Sequence, residues 1–136
     1  MALEVAVGLV LAIATIALAR AVRREDALVW SLIVLPLVYA GFQLADGRTT
    51  EALLEVVVGL PFIAAGIVLG LRTRRDRWWA VAGGFWLAHA LFDLVHDDLV
   101  DGSAVPDWYH AVCLGFDLAV GAYLVWRERR PERVYL

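Results

Sequence analysis

The sequence predicts an all-α protein: a five-transmembrane-helix bundle forming one integral membrane domain over residues 1–136. Three observations carry this. The chain is 62% hydrophobic, against roughly 45–50% for a soluble domain. Its apolar residues gather in five blocks, 3–22, 27–45, 52–71, 78–100 and 108–126. Each block is long enough to cross roughly 30 Å of hydrocarbon as a helix. All 12 basic residues are arginines, and they are concentrated in alternate connections. A soluble enzyme, a nucleic-acid-binding domain, a disordered tail and a disulfide scaffold are excluded by this composition.

The blocks follow one another with short polar breaks. The first carries a small-residue stripe, Gly8, Ala12, Thr15 and Ala19, which reads as a packing face. Ala17–Ala19 resembles a signal cleavage site, but Met1 to Val7 carries only Glu4 and no positive charge. The block therefore reads as an uncleaved anchor. The second block contains Pro36 and ends in a stripe of Tyr39, Gln43 and Asp46. The third contains Pro61 and places Glu55 on a stripe with Gly59, Phe62, Gly66 and Gly70. That small-residue stripe predicts a helix-packing face, with Glu55 turned into the bundle. Prolines inside spans are tolerated as kinks.

Arginine predicts the orientation. Arg20, Arg23 and Arg24 follow the first span; Arg72, Arg74, Arg75 and Arg77 follow the third. Arg127, Arg129, Arg130 and Arg133 follow the fifth, and Arg48 stands alone on the other side. Positive-inside logic puts the N-terminus outside and the C-terminus in the cytoplasm of a prokaryotic cell, the protein being multi-pass in its plasma (inner) membrane. The net charge of −3 then divides sharply by side. Eleven arginines against five acids give +6 inside; one arginine against ten acids gives −9 outside.

Ionisable residues within spans are costly and mark functional candidates. Here they cluster. All three histidines lie in the last two spans. His89, Asp93 and His96 share one helical face, with Trp86 a turn below, and His110, Cys113 and Asp117 share another. In a symmetric antiparallel hairpin, residues whose numbers sum to about 206 lie at the same depth. His96 is then level with His110, Asp93 with Cys113, and His89 with Asp117. These layers span about 10 Å, so one ion cannot bind every group.

Imidazole and carboxylate are the ordinary ligands of a divalent metal such as Zn or Fe. His89, Asp93, His96 and His110 are the candidate ligands. Asp117 is a ligand, a catalytic group or a carboxylate orienting His89, and Glu55 is a ligand or general base. Such a metal would act as a Lewis acid, or activate water or oxygen, beside a lipid or isoprenoid-like substrate. The pattern is neither His-Glu-x-x-His nor the His-rich boxes of desaturases. Haem is disfavoured, because adjacent hairpin helices leave no room for a porphyrin. The competing structural reading makes His89–Asp117 and His96–His110 interhelical hydrogen bonds, at about 0.6–2 kcal/mol each. A proton- or cation-coupled transporter or channel, and a non-catalytic membrane subunit, also stand as alternatives. Cys113 is the only cysteine, so no internal disulfide forms, and it reads as a small buried hydrophobe. Trp30, Trp78, Trp79, Trp108 and Trp126 read as interface anchors. The expected partners are membrane lipids, a lipophilic small molecule and further copies of the chain in a homo-oligomer, with no nucleic acid.

The run Ala88-His89-Ala-Leu-Phe-Asp93-Leu-Val-His96, followed by Pro106-Asp-Trp108-Tyr109, Cys113 and Asp117, resembles a pattern in small prokaryotic integral membrane proteins of uncharacterised activity. The resemblance covers the last two spans. It implies only that these polar residues belong together.

Overall fold

The computed structural model describes residues 1–76 and 78–129, without the side chains of Arg74, Arg75 and Asp76 or the burial of Gly102. Arg77, Arg130 and Arg133, used in the charge count above, lie outside the described residues. The chain is all helical: α1 (Ala2–Ala21), α2 (Ala27–Ala45), α3 (Thr49–Asp76), α4 (Trp79–Leu99) and α5 (Asp107–Glu128). Four of these, all but α4, are long and apolar enough to cross a membrane. Helix α4 has the length, but His89, Asp93, His96, Asp97 and Asp98 dilute its apolarity.

Two groups of helices make the bundle. Helix α5 packs between α1 and α4, while α2 pairs with α3. Within each group the backbones approach closely through glycine. A Cβ on Gly8 would collide with the Val112 carbonyl, and one on Gly115 with that of Val5. This reciprocal contact welds α1 to α5. Likewise Gly59 receives Pro36, Gly66 receives Ile33, and Gly70 receives Trp30. The glycine stripe of α3 is thus the seat of α2. Pro36 has a second effect: lacking an N–H, it leaves the Leu32 carbonyl without its helical donor. The preceding turn tightens into a 3-10 segment at Ser31–Ile33. Of the α1 stripe, Gly8, Ala12 and Ala19 are buried, but Thr15 is exposed and bonds back to the Leu11 carbonyl.

The core runs through the half of the bundle away from the α4–α5 connection. It is built from Leu28, Leu32, Leu69, Trp86, Val120 and Leu124, among others. Trp86 is 1% exposed, and its indole N–H donates to the Leu28 carbonyl at 2.9 Å. That bond joins α4 to the start of α2. Outward, the helices present large apolar side chains such as Leu3, Val10, Leu53, Leu60, Leu91 and Leu94. A surface this apolar suits lipid and not water. At the Arg-rich end, Arg127 lies 3.8 Å from the Trp79 ring centroid and donates to Glu25 at 2.7 Å. Glu128 accepts from the Trp79 and Ala80 backbone N–H groups at 2.9 and 3.3 Å, capping the first turn of α4.

The glycine contacts make a direct prediction. Gly8→Val and Gly59→Val should each destabilise the fold by about 1–3 kcal/mol, because the added side chain meets backbone or a proline ring. Gly41 and Gly84 have open space around the Cβ position, so alanine there should be neutral or stabilising by up to about 1 kcal/mol. Reversible unfolding in mixed micelles measures both sets.

Candidate functional site

The polar residues of four helices converge at the end of the bundle near the α4–α5 connection. His89, Asp93 and His96 recur at one-turn intervals on α4 and all face inward. His110 and Asp117 meet them from α5, Glu55 from α3, and Tyr39 with Gln43 from α2. His96, Asp117 and Gln43 are 0% exposed and Glu55 is 2%. The convergence has two tiers.

The deeper tier is His89, Asp93 and Asp117. His89 Nδ1 lies 2.7 Å from Asp117 Oδ2 and 3.4 Å from Asp93 Oδ1. The Tyr39 hydroxyl donates to Asp93 Oδ1 at 2.7 Å. One ligand-type atom from each of His89, Asp93 and Asp117 lies within 4.8 Å of the other two, and all three residues are buried. Two oxygens in this tier, Asp93 Oδ2 and Asp117 Oδ1, receive no N–H or hydroxyl donor among the described residues, and the two carboxyls engage each other. Two buried carboxylates thus share one imidazole and one phenol. A buried carboxylate in so apolar a setting requires a cation or a proton beside it.

The outer tier is His96, His110, Asp97 and Glu55. His96 Nε2 faces both Glu55 oxygens, at 2.9 and 3.0 Å. Its Nδ1 faces Asp97 Oδ1 at 3.1 Å and His110 Nε2 at 3.4 Å. Gln43 Nε2 donates to Glu55 Oε1 at 3.2 Å and to the Asp101 carbonyl at 2.7 Å, which ties Glu55 to the connection. Between the tiers lies the Tyr39 ring, its centroid 4.5 Å from that of His96, 5.5 Å from His110 and 6.1 Å from His89.

The structure thus brings together His89, Asp93, His96, His110, Asp117 and Glu55, the candidate ligand and catalytic residues, but in two separate groups. His89 meets Asp117 and His96 meets His110, at the depths the hairpin register predicts. Asp93 lies within electrostatic reach of Cys113, as that register predicts. It is also engaged by Tyr39 from α2 and by the deeper tier, and Cys113 is buried on α5. Glu55 contacts His96 and Gln43. Asp46, on the same predicted stripe as Tyr39 and Gln43, is exposed. The sequence reading passed over Tyr39 and Gln43 as site residues. Their i, i+4 spacing is the same signal that marks His89 and Asp93.

A cavity of about 280 Å³ opens beside both tiers, between α1, α4 and α5. Asp93 and His110 form part of its wall, with Leu94, Trp108, Ala111 and Leu114 supplying an apolar lining. Toward the Arg-rich end the site is closed by Phe62, whose ring lies 4.8 Å from that of His89, and by Trp86.

Over the mouth, Arg48 pairs with Asp101 and also bonds Ser103. Arg48 and the Ser103 bonds hold the Asp101 carboxyl well below the usual carboxylate range, at about 2. A depressed carboxylate contributes stability above its unfolded value and loses it as pH falls toward the folded value. The latch is therefore complete at neutral pH and opens only in strong acid. In Arg48→Ala the Asp101 carboxyl should rise toward the unperturbed value of about 3.9 but stay below it, because the Ser103 bonds remain, as read by carboxyl carbon NMR.

No protein-family model, no curated protein and no solved structure matches this chain.

Proposed function

We propose that the chain is a five-span plasma-membrane protein of a prokaryote, N-terminus outside and C-terminus cytoplasmic. In this reading α4 is the fifth span, its polar residues hidden inside the bundle. The deeper tier holds a divalent metal, Zn or Fe, on His89, Asp93 and Asp117. The protein is then a metal-dependent enzyme acting on a lipid or isoprenoid-like substrate.

The observation that carries the proposal is the pair of oxygens, Asp93 Oδ2 and Asp117 Oδ1, buried beside His89 with no N–H or hydroxyl donor. One imidazole with two carboxylates is a usual donor set for such a metal. Binding would replace the His89 Nδ1 proton and give both carboxylates a cation. Tyr39 would orient the Asp93 carboxylate from behind. The bound metal would supply Lewis acidity, or an activated water, to a polar bond at the head of the substrate. The apolar cavity reaching Asp93 supports the substrate class: Leu94, Trp108 and Leu114 suit a lipophile entering from the outer half of the bilayer.

Elemental analysis of the purified chain tests this. About one equivalent of metal is expected in the deeper tier, lost in His89→Ala and Asp117→Asn. Metal content unaffected by either change would sink the proposal.

A second reading is favoured by the linked contacts running from the Asp101 carbonyl through Gln43, Glu55 and His96 to His110. Within this chain of contacts Glu55, His96 and His110 are groups that can carry a proton at the mouth, above Asp93 and Asp117 in the deeper tier. The apolar closure by Phe62 and Trp86 opposes passage across the whole membrane. On this reading, proton flux into liposomes should fall in Asp93→Asn and Asp117→Asn; flux equal to wild type in both variants removes it.

A further inference from the structure

We infer that His96, Asp97 and His110 form a second cation site, at the outer mouth, selective for Zn²⁺ or an ion of similar chemistry. The site is distinct from the deeper tier and does not depend on it. Its three donor atoms, His96 Nδ1, Asp97 Oδ1 and His110 Nε2, are separated by 3.1, 3.4 and 3.9 Å. Ligands about 2.1 Å from one tetrahedral ion stand about 3.4 Å apart. The observed spacings bracket that value, so an ion fits with small side-chain adjustments.

The environment of His96 is a second, independent observation. Its other ring nitrogen, Nε2, faces both oxygens of Glu55. Metal-binding histidines characteristically donate their second N–H to a carboxylate, which fixes the tautomer and aims the free lone pair at the ion. Here the lone pair on Nδ1 would point to the space shared with His110 and Asp97. Glu55 is itself held by Gln43, which is anchored on the Asp101 carbonyl. Three helices and the α4–α5 connection therefore hold one imidazole in one orientation.

Charge and chemistry fix the class of ion. Glu55 and Asp97 place two carboxylates around His96, and the nearby Arg48 is engaged by Asp101 and Ser103. A divalent ion on neutral histidines balances both carboxylates. It also resolves the approach of two imidazole nitrogens at 3.4 Å, each then serving as a donor to the metal. Two imidazoles and one carboxylate favour Zn²⁺ over Mg²⁺ or Ca²⁺, which prefer all-oxygen sets. Asp97 is 69% exposed at its side chain, so the fourth position faces the aqueous mouth. Three protein ligands with one open position distinguish this from a closed structural zinc site.

Zn²⁺ titration calorimetry and Co²⁺ visible absorption on the full chain in detergent micelles test the assignment. One equivalent should give the intense bands of tetrahedral Co²⁺ and should vanish in His110→Ala and Asp97→Ala. Glu55→Gln should keep the equivalent while weakening it by roughly 10–100-fold. Asp97 is exposed, so its variant folds even where His110→Ala does not and carries the test alone. Zn²⁺ stoichiometry and affinity equal to wild type in Asp97→Ala would overturn the site. Loss of binding confined to Asp117→Asn would also overturn it and leave only the deeper centre. Loss confined to the Asp97 and His110 variants would establish the mouth site and remove the deeper one.

Discussion

Two groups of helices, each packed through close backbone approach, are joined by a shared apolar core and a few buried polar bonds. Within each group, contact is made by backbone: α1 meets α5 through Gly8 and Gly115, and α2 sits on the glycine stripe of α3. Between the groups the named polar links are side-chain bonds. Tyr39 reaches Asp93, Glu55 reaches His96, and Trp86 reaches the Leu28 carbonyl. In lipid no hydrophobic force drives helices together, so close packing and such bonds must do it. Each contributes about 0.6–2 kcal/mol, but together they set how α2–α3 lies against α4–α5. The convergence of polar groups is a consequence of this joint as well as its cause.

On the proposed function, stability and chemistry share residues here. A group kept purely for helix adhesion would have both partners satisfied, as Trp86 does. Glu55 and His96 nearly meet that standard, since each oxygen and nitrogen has a neighbour. Asp93 and Asp117 do not, because beyond Tyr39 and His89 their remaining oxygens have only each other, and two carboxyls need a shared proton or a cation to be satisfied. That need for a proton or a cation is what distinguishes the deeper tier from a fully satisfied interhelical bond.

Much of this was legible in the sequence, for identifiable reasons. Helical rise is constant, so a short connection fixes the register of α4 against α5 from residue numbers alone. That placed His89 beside Asp117 and His96 beside His110. The Gly59, Gly66 and Gly70 stripe marked a docking face because only close packing requires so many missing side chains. Less was legible about α2. No periodicity says which neighbour a helix prefers, so Tyr39 and Gln43 near a span end could not be told from interfacial residues. Their partners lie 54 and 58 residues away on α4 and the α4–α5 connection, beyond the reach of any local pattern. The separation into two tiers follows from the helical rise between His89 and His96 and was legible; what was hidden is the Tyr39 ring, which enters between them from α2.

The uneven distribution of polarity along the bundle axis has a functional corollary. The end bearing Asp97, Asp98, Asp101 and Asp107 carries an acidic field that concentrates cations at the mouth. The lateral cavity between α1, α4 and α5 is apolar and suits lipophiles. In the proposed function a cation and a lipophile would approach the same centre by different routes, one from water and one from the bilayer. Their meeting point is where Asp93 and His110 line the cavity wall. The opposite half gives neither a way out, because Phe62, Trp86 and the leucine core fill it. On the proposed reading, a site open to two phases and closed below would bring reactants together and would not pass either of them through.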